Sequence, residues 1–102
     1  MILLDTNVVS ELMKEAADRA VERWYFRNEH ETALPSIALA ELSYGIARLA
    51  DGARRRNLET RLTEWRLRYA GRTLVFGSSA AMRYGPMLAA ATAAGRPMAL
   101  PD

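Results

Sequence analysis

Three acids in this chain stand where carboxylates can do chemistry. Asp5 ends the apolar run Ile2-Leu3-Leu4. Glu41 lies in a helical pattern that follows a second strand-like stretch, and Asp102 follows a proline, Pro101, that reads as the first residue of a helix. Three hard oxygen ligands from separate elements can hold Mg²⁺ or Mn²⁺. Clustered carboxylates repel one another, so a site of this kind needs a cation to be tolerable at neutral pH. One or two such ions can activate water and stabilise charge in phosphodiester hydrolysis. Spacing leaves open whether the three converge. It also leaves a plainer reading: Asp5 ends a strand and helps cap a helix, and Glu41 is a solvated helix residue.

Other familiar chemistries lack their residues. Cysteine is absent, which excludes disulfides, thiolate metal sites and cysteine nucleophiles. His30 is the only histidine; no Ser-His-acid candidate is built around it, and there is no His/Cys set for zinc. No Gly-rich phosphate loop follows a strand. A receiver-type phosphoaspartate site would need a second acid near Asp5 and a downstream lysine, and the only lysine is Lys14. A haloacid-dehalogenase site would want an acid where Asn7 stands.

The elements that must position these acids are legible from periodicity. Ile2–Leu4 is unbroken and apolar, as in a strand covered on both faces. Asn7 or Thr6 is the expected N-cap of a short helix through about Lys14, with Val8, Val9, Leu12 and Met13 on its apolar side. A second helix is expected over Asp18–Asn28. Thr32–Leu34 forms a brief strand closed by Pro35. Ser36 caps the next helix, with Leu39, Leu42, Ile46 and Leu49 as its apolar face and Asp51-Gly52 as its stop. Gly45, one turn after Glu41, is costly inside a helix and suggests close approach by another group. Residues 53–69 carry the stripe Leu58, Leu62, Trp65 and Tyr69, with arginines crowding the other faces. Arg72–Phe76 is a third strand. Ser78 caps a last helix, which Pro86 should kink or split and Gly95 should end. Strands alternating with helices predict an α/β fold, a parallel sheet with helices on both faces.

Composition sets the frame. At 102 residues this is one small domain or part of one, with about 60–65% of the unfolded chain's surface open to burial. Half the residues are hydrophobic and 25% are charged, as in a globular protein. No apolar run approaches the roughly 20 residues of a membrane span. Asp5 and Glu11 interrupt the apolar N-terminal stretch, which excludes a signal peptide, and the absence of cysteine fits a cytoplasmic setting. The net charge is +2, and of the 14 basic residues all but Lys14 are arginine. Arginine's planar fork suits phosphate and carboxylate partners, although arginine-rich composition is also common in proteins from GC-rich genomes. The basic run Arg54–Arg56 can face RNA, a partner protein or solvent.

Three stretches carry a family resemblance: residues 2–11 (ILLDTNVVSE), 34–46 (LPSIALAELSYGI) and 95–102 (GRPMALPD), with Trp24 between the first two. They resemble the PIN domain, and within it the toxin ribonucleases of VapBC-type (VapC/FitB-like) toxin–antitoxin pairs. The resemblance implies a three-layer α/β/α sandwich and a metal-dependent (Mg²⁺ or Mn²⁺) endoribonuclease. It puts Asp5, Glu41 and Asp102 on the family's first three metal-binding acids, and Thr6 and Asn7 on the polar residues beside the first. It implies an RNA substrate, a cognate antitoxin and a homodimer. The family continues past its third acid into further elements with a fourth acid, so the resemblance implies a C-terminally incomplete domain with the Ile2–Leu4 strand exposed on one edge. On that basis the alternative function is an inactive module that dimerises or holds an antitoxin.

Overall fold

The computed structural model describes the backbone of residues 1–94 and 98–99, and side chains through residue 87. Strands β1 (Ile2–Leu3), β2 (Thr32–Pro35), β3 (Thr73–Leu74) and β4 (Met98–Ala99) form one sheet in the order β3-β2-β1-β4. The first three run parallel, Ile2 opposite Thr32 and Leu34 opposite Thr73. The helices are α1 (Thr6–Leu12), α2 (Arg19–Asn28), α3 (Ser36–Ala47), α4 (Ala53–Arg68) and α5 (Ser78–Ala94).

Successive strand residues point to opposite faces, and here that alternation makes three layers. Leu4 and Leu34 face a core built with Val8, Val9, Tyr25, Ala38, Leu42, Trp65 and Tyr69, so α1, α2, α3 and α4 share one side. Leu3 and Ala33 face the other side, where Leu74, Phe76 and Tyr84 of α5 cover them. This explains why Ile2–Leu4 is apolar throughout: Leu3 and Leu4 are both fully buried, on opposite faces.

Three local expectations are corrected. The edge of β1 expected to be bare pairs antiparallel with β4, Ile2 opposite Ala99 and Leu3 opposite Met98. The N-cap of α1 is neither Thr6 nor Asn7 but Asp5, whose carboxylate accepts from the Val8 amide. Ser36 does not cap α3. The cap position is Pro35, and Ser36 Oγ instead accepts from the Phe76 amide at 2.9 Å, fastening the chain beyond β3 to the start of α3. Helix boundaries moved for similar reasons. α3 stops at Ala47, earlier than Asp51-Gly52, and Gly52 becomes the N-cap position of α4. α5 runs unbroken through Pro86, where only the bond to the Met82 carbonyl is forgone. The stop expected at Gly95 lies outside the described residues.

A chain of hydrogen bonds ties the far end of the sheet to α2 and α4. Thr32 Oγ1 donates its one hydrogen to the Glu29 carbonyl at 2.6 Å. The Tyr69 hydroxyl, 2.6 Å from Thr32 Oγ1, must therefore donate to it, and the Tyr25 hydroxyl donates to Tyr69 at 2.8 Å. Trp65 stacks parallel to Tyr69 at 5.7 Å. The Arg72 guanidinium lies 4.3 Å from the Tyr69 ring centre and donates to the Glu29 carboxylate and to the Glu29 and Thr32 carbonyls. Burial, the largest influence, pushes the Tyr69 phenol well above its ordinary value, so it stays a donor.

Candidate metal-binding site and its groove

Because β1 and β2 are parallel, their carboxyl ends lie at one edge of the sheet, and α1 and α3 both start there. That edge is where open α/β sheets bind ligands. Asp5 leaves β1 at this edge and is 1% exposed. Its Oδ1 accepts from the Val8 amide at 2.8 Å. Its Oδ2 is buried and has no hydrogen-bond partner, the one such side-chain atom among the described residues. A buried carboxylate oxygen without a partner carries a desolvation cost that a bound cation removes. In this respect Asp5 fits a metal ligand.

Glu41 sits on the second turn of α3, exposed. It lines a groove of about 320 Å³ together with Thr6, Asn7 and Ser10 of α1. Leu42, Ile46 and Leu49, at i, i+4 and i+7, floor the groove, and Lys14, Arg54 and Leu58 close its far end. The structure therefore brings Thr6, Asn7 and Glu41 together on one surface, with Asp5 in the adjoining position, buried. Asp102 lies outside the described residues, and among the described residues no three acids converge. An oxygen-rich set of this type, one buried carboxylate and one exposed, suits Mg²⁺ or Mn²⁺ rather than a softer ion.

Gly45 also lines the groove, one turn beyond Glu41. The close approach expected there is not found: a Cβ at Gly45 would meet no heavy atom within 4 Å. The missing side chain leaves the groove open.

Thr6 and Asn7 are marked in the sequence by their place beside Asp5, whereas Ser10, Lys14 and Arg54 join them on this surface through the fold. For Ser10 a signal exists, since Thr6 and Ser10 are spaced i, i+4 on one short helix. For Arg54 the signal is only its place in the basic run Arg54–Arg56, and the packing of α4 on α3 brings it to the groove. Glu11, also on α1, takes a structural role: its carboxylate accepts from Lys14 Nζ at 2.9 Å and from the Asp18 amide at 3.0 Å, joining α1 to α2. The Lys14 bond, then the Asp18 amide, holds the Glu11 carboxyl below the usual carboxylate range.

Comparison with known proteins agrees with this architecture. The PIN domain family profile matches residues 2–92. The chain is 42% identical over 98 residues to the VapC ribonuclease Y4jK of Sinorhizobium fredii, covering 94% of this chain and 70% of that protein. It is 36% identical over 104 residues to Toxin FitB of Neisseria gonorrhoeae, covering all of this chain and 75% of that one. Among solved structures, FitAB bound to an IR36 DNA fragment superposes with a TM-score of 0.70 at 33% identity, over 97% of this chain and 71% of that one. With the three layers, the strand order and the acid at the tip of β1, these matches settle the family: the chain belongs to the PIN-domain proteins.

Proposed function

We propose that the protein is a Mg²⁺- or Mn²⁺-dependent endoribonuclease, the toxin of a toxin–antitoxin pair acting in the cytoplasm. The observation that carries this reading is the buried, partnerless Asp5 Oδ2 at the carboxyl edge of the sheet, in a chain whose relatives include a VapC ribonuclease and a FitB toxin. Asp5 and Glu41 would hold the cation, and the family resemblance adds Asp102. When bound, the ion supplies positive charge to the phosphodiester and makes water a stronger nucleophile.

The chain's own residues do the rest. The Val8 amide holds the Asp5 carboxylate in one orientation, so its free oxygen is preorganised and pays no entropy when the site is used. Glu41, exposed on the groove, is the carboxylate that meets water entering from solvent. It would accept the water's proton as the new P–O bond forms, and the sugar oxygen released as the chain's P–O bond breaks takes up a proton from solvent. Thr6 and Asn7 offer hydroxyl and amide groups to the same water and to the phosphate. An antitoxin partner is supported by the likeness to a FitAB assembly, and a homodimer follows from the family resemblance.

RNA cleavage with Mg²⁺ titrated from zero tests the reading. Cleavage should rise with the ion, stop on chelation and vanish in Asp5→Asn. Undiminished cleavage by a folded Asp5→Asn protein would remove it. Partner binding by the unaltered protein without any turnover would favour the inactive-module reading instead.

A further inference from the structure

The groove that starts at Glu41 has an opposite charge at its other end. Lys14 and Arg54 line it there, and both also line a second groove of about 460 Å³ that continues past Asn57 and Arg61. The two depressions share Met13, Lys14, Arg54 and Leu58, so they form one path that leads from Glu41 to the cations, with Glu15 the one acid lining the second depression.

The cations on and near this path are not equivalent. Arg55 lines neither depression and is engaged with the Leu49 carbonyl and, at 3.7 Å, with Glu59. Arg61 donates to the Met13 carbonyl, which holds α4 against the end of α1. Lys14 shares its charge with Glu11. Arg54 is exposed, and no side chain or carbonyl among the described residues pairs with it. Arg56 is exposed too but lines neither depression. In the run Arg54–Arg56, the fold therefore turns one guanidinium to the groove and leaves it uncommitted.

Resting on the ribonuclease reading above, we propose that Arg54, with Lys14 beside it, binds an RNA phosphate neighbouring the one that is cut. A phosphodiester seated at the acids can extend its chain along the groove toward Lys14 and Arg54, and each further nucleotide carries a negative charge. A guanidinium meets such a phosphate through two parallel N–H donors. Apolar Leu42, Ile46 and Leu49 line the groove between the two ends and offer no competing charge there. Arg54 is thus a positioning residue: it sets how the backbone lies, while Asp5 and Glu41 act on the scissile bond.

The test is cleavage of a short single-stranded RNA by the protein and by Arg54→Ala, Arg54→Lys and Arg56→Ala, across a salt series. Arg54→Ala should raise KM by about two- to fivefold at low salt, the range of an exposed ion pair, with kcat unchanged. Its dependence of log affinity on log salt should be shallower by about 0.7, one phosphate's share for a single strand. Arg54→Lys should restore most of the KM, and Arg56→Ala should match the parent. If Arg54→Ala keeps the parent's KM and salt slope while the parent cuts, this inference alone is overturned. An equal loss in Arg56→Ala would also overturn it, by showing general charge rather than a subsite. So would a loss of affinity for a protein partner with RNA cleavage unchanged. A parent that neither binds nor cuts RNA removes the ribonuclease reading, and this inference with it.

Discussion

The Val8 amide donates to Asp5 Oδ1 across 2.8 Å, and that single bond gives Asp5 two roles. One carboxylate oxygen caps α1; the other is buried at the sheet edge with no partner. The two roles separate by mutation. Asp5→Asn keeps an oxygen for the Val8 amide and removes an uncompensated charge, so its thermal midpoint should equal or exceed the parent's. Asp5→Ala loses the cap and should cost about 1 kcal/mol. Thermal or urea unfolding of both variants checks the pair, and equal destabilisation would show that the cap contributes nothing.

Gly45 sets a trade between helix stability and groove width. Gly45→Ala should stabilise the protein by about 0.5–1 kcal/mol, since α3 gains a better helix former and the new methyl meets no atom within 4 Å. The same methyl enters the groove beside Glu41. RNA cleavage should therefore fall while the unfolding midpoint rises, measured on the same preparation.

Tyr69 predicts a specific alkaline weakness. Burial raises its phenol in the folded state above the ordinary value near 10.0. Below pH 10 both states keep the proton and the contribution is intact. As pH rises through 10, the unfolded chain ionises while the folded one does not, so the unfolded state binds fewer protons and stability falls. Urea unfolding from pH 8 to 11 should show this decline, and Tyr69→Phe should flatten it. At neutral pH Tyr69→Phe should cost about 1–3 kcal/mol, because Tyr25 loses an acceptor and Thr32 a donor.

Arg72 uses the shape of its head group as well as its charge. It donates to Glu29 Oε1 at 2.9 Å and to two carbonyls while lying over the Tyr69 ring. Lysine keeps the charge but cannot make these bonds together. Arg72→Lys should lower stability by about 1 kcal/mol or more without changing RNA cleavage at the opposite edge of the sheet, as unfolding and activity assays together would show.

Much of this was written in local pattern. The unbroken Ile2-Leu3-Leu4 run required cover on both faces, and the helical stripes Leu39-Leu42-Ile46 and Leu58-Leu62-Trp65-Tyr69 required α3 and α4, because burial depends on periodicity that the chain carries in itself. The acid at the end of the first strand and the Glu41–Gly45 pair were visible for the same reason, and with the PIN resemblance they identified the family. Other features depended on residues far apart in sequence. The antiparallel pairing of β4 on β1, the capture of the Phe76 amide by Ser36, and the meeting of Tyr25, Thr32 and Tyr69 join partners separated by dozens of positions. No local rule fixes such partners; only the packing of whole elements does. The same holds for Arg54. As one of three consecutive arginines it was indistinguishable from its neighbours, and the docking of α4 on α3 alone turned it toward the groove that begins at Thr6, Asn7 and Glu41.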